Sequence, residues 1–137
     1  MIRIGVTGTR KGMRIGQKVA FRMFLKGANV NREHLGAVLH HGDCVGADAE
    51  AHEIAESFGM SVVIHPPEDP KHRAFCKADE YRERQPYLKR NEDIVNSCDI
   101  LVAVPSGRER LRSGTWATVR YARKRGTPVV VLERAGE

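Results

Sequence analysis

The segment HHGDCVGAD, His40 to Asp48, brings two imidazoles, a thiol and two carboxylates together around Gly42 and Gly46. A glycine turn that feeds a helix leaves unpaired backbone N–H groups at the positive end of the helix dipole. That arrangement suits a phosphate or another anion. Asp43 and Asp48 flank the turn, and Asp48 is placed either to hydrogen-bond a ribose hydroxyl or base, or to favour the helix start electrostatically. His41, Asp43, Cys44, Asp48 and His52 are metal-capable types, but their spacing matches no recognised ligand pattern, so no metal and no resident cofactor are expected.

Two further turns carry the same chemistry. Thr7-Gly8-Thr9-Arg10 offers small residues followed by an arginine, the side chain best shaped for bidentate anion contacts. Pro105 opens a second loop that closes on Ser113-Gly114-Thr115, with Ser113 as an N-cap. Ser113 has no histidine partner in view, Cys98 reads as a small packed residue, and Trp116 and Tyr121 at helical spacing read as core more readily than as stacking platforms. The candidate ligand-binding residues are therefore Gly8, Thr9, Arg10, Gly42, Asp43, Gly46, Asp48, Pro105, Ser113, Gly114 and Thr115.

Alternation of short apolar runs with helical patterns must position these turns. Ile2, Ile4 and Val6 start a first strand, followed by a helix expected over 11–26; an apolar run at Leu35 to Leu39 follows a turn suited by Asn29 and Asn31. Ala47, Ala51, Ile54, Ala55 and Phe58 recur at helical spacing, and Met60 to Ile64 is a β-branched strand ended by Pro66-Pro67. Residues 66–86 are polar and proline-rich, the composition of a lid, a binding loop or a mobile segment. A short helix is expected over 87–96, a strand over Ile100 to Val104, a helix from Thr115 to Lys124 stopped by Gly126, and a last strand over Val129 to Leu132. Five strands alternating with helices predict a single α/β domain over 1–137, a mainly parallel five-stranded sheet covered on both faces. All three turns then meet at the carboxyl edge, where open α/β sheets bind ligands.

Composition narrows the class. The 137 residues, 41% hydrophobic, suffice for one core. No apolar run approaches a membrane span, and three scattered cysteines suggest reduced thiols, so a soluble cytoplasmic protein is expected. The net charge of +6 is uneven: residues 1–33 carry eight bases against one acid, and Arg108, Arg110, Arg112, Arg120, Arg123, Lys124 and Arg125 are opposed only by Glu109. Basic blocks attract phosphates, whether in nucleotides or in nucleic acid.

VTGTR, HGDCVGADAEAHEIAESFG, KRNEDIVNSCDILVAVP and SGTWATVRYARKRGTPV together resemble the SLOG superfamily, the Rossmann-like α/β/α domains shared by DNA-processing protein A and the Lonely-guy phosphoribohydrolases. The resemblance spans the chain outside 66–86 and implies a pocket for a nucleotide or nucleotide-derived ligand at the carboxyl edge. In the hydrolase branch, glycine-threonine is followed three residues later by a catalytic glutamate; here that position is Thr118. The branch also places an arginine upstream of the fourth strand, matched by Arg90, which is the catalytic candidate if the protein is an enzyme. Nucleoside deoxyribosyltransferases end similarly and have the same residue missing here. N-glycosidic cleavage builds positive charge on the ribose and wants a carboxylate, so hydrolysis would need Asp43, Asp48 or Glu109 as a substitute.

The expected function is binding of a nucleotide-like small molecule, by a sensor, a sequestering protein or an enzyme. The alternatives are a phosphoribohydrolase with a displaced acid and, last, a nucleic-acid-binding protein. No membrane partner is expected, and such families often form homodimers.

Overall fold

The computed structural model describes residues 2–28 and 37–134; the expected turn at Asn29 and Asn31 and the start of the run at Leu35 lie outside them. Strand β1 (Arg3–Gly8), helix α1 (Ile15–Gly27), β2 (Val38–His41), α2 (Ala47–Ser57), β3 (Ser61–Ile64), β4 (Glu80–Tyr81), α3 (Tyr87–Ser97), β5 (Ile100–Val104), α4 (Gly114–Arg125) and β6 (Val129–Val131) follow in order. The sheet order is β4-β3-β2-β1-β5-β6, and every pairing is parallel. Six strands replace the expected five because the polar 66–86 segment adds the two-residue edge strand β4, which pairs Val63 with Glu80 and Ile64 with Tyr81. Two residues carry no periodicity to read.

Helices α1 and α2 pack together on one face and α3 and α4 on the other, giving three layers. Period-two alternation feeds both sides. Ile4, Val6, Val102 and Val104 point into the larger core with Phe21, Leu25, Leu39, Ala51 and Ile54, while Leu101 turns to Ile94, Val95 and Ala122 under the other helices.

Helix α1 starts four residues later than its pattern suggested. Residues 11–14 instead form a turn, with Gly12 at φ +90 and the Met13 N–H donating to Glu50 at 2.7 Å. Inside the first turn, the Gln17 side chain accepts from the Arg14 N–H, and its amide donates to the carbonyls of Pro105 (3.0 Å) and Leu132 (2.8 Å). One buried glutamine thus ties together the chain after β1, β5 and β6. Helix α4 is capped as its sequence predicts: Ser113 accepts from the Trp116 N–H, and Gly126 closes it in the left-handed region at φ +79.

The chain runs outward from β1 in one direction to β4, then returns to place β5 on the other side of β1. The sheet's topological switch therefore lies between β1 and β5, and the loops that open there are Thr9–Arg14 and Pro105–Ser113.

Candidate functional site

A chamber of about 180 Å³ opens at this switch, lined by Gly8, Thr9, Arg10, Lys11, Tyr87, Ser106, Arg110, Arg112, Ser113, Gly114 and Thr115. Four of these side chains are cations and none is an acid. None of the four makes a hydrogen bond or ion pair through its side chain among the described residues, whereas Arg3, Lys18, Arg73, Lys89 and Arg120 are each paired with a carboxylate. The first turn of α4 adds its positive dipole end to the same space.

A wider cleft of about 500 Å³ adjoins the chamber, sharing Arg10, Tyr87, Arg112 and Gly114 with it and extending to Cys44, Pro67, Glu68, Asp69, Lys71, His72, Pro86 and Arg90. Tyr87 is the wall between the two. Its ring lies against the Arg90 guanidinium at 4.9 Å, and its hydroxyl occupies the space that a Cβ on Gly114 would need. The cleft therefore has cations at the switch end and two carboxylates, Glu68 and Asp69, at the far end.

The HHGDCVGAD turn has a different job from the one its composition suggests. Asp48 folds back so that its Oδ2 accepts from the Gly42 and Cys44 N–H groups, both at 3.2 Å. The Ala47 N–H donates to the Thr9 carbonyl and the Val45 N–H to that of His72. These amides are consumed internally, so this turn offers little to an anion. Gly46, at φ +91, is glycine because the Thr9–Arg10 backbone fills the place of a Cβ, and Gly42 because the Arg90 guanidinium does. Of the turn's residues only Cys44 lines the cleft. Gly42, Asp43, Gly46 and Asp48, expected as ligand-binding residues, lie beneath these hollows, and neither they nor Pro105 is among the residues that line them.

Asp43 shows the point best. It is fully buried with φ +58; Oδ2 pairs with Arg73 at 2.8 Å, and Oδ1 accepts from the Cys76 N–H at 2.9 Å. Its carbonyl also receives the Ala74 N–H at 2.7 Å. The 66–86 segment is consequently clamped to the turn as a fixed wall, with Asp79 holding the Val62 N–H farther along. Burial, and then the Asp43 carboxylate, push the Cys76 thiol up to about 12.

Behind the turn, the Asp43 N–H donates to His41 Nδ1 at 2.9 Å, which leaves the His41 proton on Nε2, facing His52 Nδ1 at 2.8 Å. A second imidazole pair, His40 with His65, meets at 2.9 Å. Burial lowers His41 and His65 to about 3 and His40 to about 4, so all three are neutral. Burial raises Asp48 to about 6, a shift moderated by nearby Arg90, and its Oδ1 is a buried oxygen without a partner. No group of three or more His, Cys, Asp or Glu side chains arranged to hold a metal occurs among the described residues.

Arg90, 2% exposed, donates to the carbonyls of Gly42 (2.5 Å) and His65 (3.3 Å) and to the Asn91 side chain (2.8 Å). It lines the cleft with its face on the Tyr87 ring, and its Nη2 donates to Cys44 Sγ at 3.6 Å. Thr118 is buried, and its hydroxyl donates to the Gly114 carbonyl at 2.9 Å. Glu109 pairs with Arg120 around a separate hollow near Trp116. Neither Asp43, Asp48 nor Glu109 lines the cleft. Sequence reasoning missed Lys11, Tyr87, Arg110 and Arg112. The two arginines did stand out as part of a basic block, but only the fold shows which bases of that block converge.

No family model matches the sequence, and no curated protein matches it. Solved structures do. The molybdenum cofactor binding protein of Rippkaea orientalis is similar over 95% of this chain and 75% of its own, with 22% identity and a TM-score of 0.71. The molybdenum cofactor carrier protein of Chlamydomonas reinhardtii shares 26% identity over the same fractions, 95% and 75%, with a TM-score of 0.68. DNA processing protein A of Helicobacter pylori, described for its single-stranded DNA binding, is similar over 99% of this chain and 67% of its own, with 19% identity and a TM-score of 0.66. With its parallel sheet and a likeness to these structures over nearly the whole chain, the protein has a SLOG-type fold.

Proposed function

We propose that the protein binds a phosphorylated, nucleotide-like heterocycle in the joined cleft and chamber and holds it without cleaving it, as a carrier or sensor does. The observation that carries this reading is the chamber of four unpaired cations, free of acids, at the topological switch. Four like charges in one small hollow repel one another until an anion enters, so an anion is the ligand group the chamber favours. The adjoining cleft has the volume for a base or pterin, Tyr87 as an aromatic wall, and Glu68 and Asp69 to accept N–H donors at its far end. Relatives described as binding or carrying the molybdenum cofactor, itself a phosphorylated heterocycle, support the same class.

Binding without cleavage is supported by the missing acid at the expected position and by the burial of two of its substitutes. A hydrolase of the related kind needs an acid beside the ribose, and the residue there is Thr118, its hydroxyl turned to Gly114. Asp43 is neutralised by Arg73, and Asp48 is sealed under the turn.

The test is calorimetric titration of the purified protein with AMP, GMP and a phosphorylated pterin, alongside chromatographic assay for free base. Saturable binding with the heterocycle recovered intact is expected. Release of free base over time would overturn the non-cleaving part, and Glu68→Gln and Asp69→Asn would then be the first variants to make. Absence of binding by all three probes, with tight binding of a short single-stranded oligonucleotide, would replace the reading with nucleic-acid binding.

A further inference from the structure

The charge of the chamber exceeds what one phosphate needs. A phosphomonoester carries about −1.5 to −2 at neutral pH. Arg10, Lys11, Arg110 and Arg112 supply four positive charges, and no lining carboxylate offsets them. Some bases elsewhere are balanced locally, Lys18 by Glu50 at 3.1 Å, Lys89 by Asp93 at 2.5 Å and Arg120 by Glu109 at 3.0 Å, but no carboxylate stands in the lining around these four. The arginines come from both sides of the switch, Arg10 from the loop after β1 and Arg110 and Arg112 from the loop after β5, so they can hold two phosphoryl groups between them without sharing oxygens.

Space and polarity agree. At about 180 Å³ the chamber is roomier than one phosphoryl group requires, and it is continuous with the cleft through Arg10, Tyr87, Arg112 and Gly114. Beyond these shared residues the cleft bears Glu68 and Asp69 beside Lys71, so positive charge there is offset, whereas that of the chamber is not. A second phosphate is therefore drawn to the same end as the first, where the cations are unopposed. Resting on the binding mode proposed above, we infer that the ligand carries a diphosphate: a nucleoside diphosphate, or a heterocycle joined to a second group through a pyrophosphate bridge. Arg10 and Lys11 hold one phosphoryl group, and Arg110 and Arg112 hold the other. Both bases of the second pair are exposed, so each can be removed without disturbing the core.

The experiment compares GDP with GMP and ADP with AMP by calorimetry, and inorganic pyrophosphate with phosphate by thermal shift, all in EDTA at matched ionic strength. Each diphosphate is expected to bind at least about tenfold more tightly than its monophosphate, the worth of one added charge-assisted contact. Its affinity should also fall more steeply with salt. Arg110→Gln should weaken the diphosphate more than the monophosphate and so narrow the gap between them, whereas Arg10→Gln should weaken both alike. Equal affinity for mono- and diphosphates, or loss of both in Arg110→Gln, overturns the inference while leaving the proposed function intact. Pyrophosphate stabilising the fold more than phosphate when neither nucleotide pair binds would do the reverse: the heterocycle-binding reading fails and the diphosphate site stands.

Discussion

Gly42 and Gly114 are both glycine because a side chain from α3 occupies their Cβ space, yet the two substitutions should read differently. An added methyl at Gly42 meets the guanidinium of Arg90, which is buried and held by two carbonyls and Asn91. Gly42→Ala should therefore cost about 1–3 kcal/mol of stability, visible as a lower midpoint in urea. At Gly114 the obstacle is the hydroxyl end of Tyr87, a half-exposed ring that can swing away. Gly114→Ala should leave the midpoint nearly unchanged and weaken ligand binding, because the wall between cleft and chamber moves. Arg112→Ala is expected to reduce nucleotide affinity about tenfold or more at low salt with no loss of stability. Arg90→Ala should do the opposite, destabilising the protein by about 2–4 kcal/mol through carbonyls left without a donor in the interior. A stable Arg90→Ala protein would argue that this arginine serves the ligand before it serves the fold.

At the scale of elements, the polar 66–86 segment is a wall because one buried aspartate fastens it. Asp43 holds Arg73 and the Cys76 N–H, and its carbonyl holds the Ala74 N–H. Removing one partner of a buried ion pair leaves an uncompensated charge, so Arg73→Ala should cost about 3 kcal/mol. Amide exchange should locate the damage: Ala74 and Cys76 are expected to exchange much faster, with α4 unaffected. Unchanged protection at those two amides would show that the wall is held by its edge strand alone. The composition of this segment was legible as a functional loop, but its rigidity was not, since a clamp between residues 30 positions apart leaves no local pattern.

The molecule as a whole carries a built-in sensitivity to acid. His40, His41 and His65 have depressed values in the folded state, about 4, 3 and 3, against an ordinary 6.5. Below 6.5 the unfolded chain takes up these protons while the folded chain resists, so stability is full above that value and falls as the pH drops toward 4. Asp48 acts with the opposite sign: raised to about 6, it binds a proton earlier in the folded state and recovers a little stability on acidification. Three groups oppose one, and the net effect is loss. The midpoint in urea should decline steadily from pH 6.5 to 4, with His41→Asn or His65→Gln flattening part of the slope. A flat profile over that window would mean that the imidazole pairs accept protons where they stand.

Sequence by itself determined the alternating strands and helices, the parallel three-layer arrangement, and the capping of α4 by Ser113 and Gly126. All of these follow from local propensity and from side-chain periods of two and 3.6, which short windows contain. Tertiary structure decided which turn lines the chamber proposed to hold the ligand. HHGDCVGAD is rich in reactive groups, but it stands one strand away from the switch, and the Gly42 carbonyl, several of its amides and three of its four carboxylate oxygens are engaged by Arg90, Arg73, the Cys76 N–H and each other. The chamber belongs instead to Thr9–Lys11 and Arg110–Thr115, residues about a hundred positions apart that meet only because β5 returns to lie beside β1. Convergence of that kind depends on strand order, which local spacing does not encode.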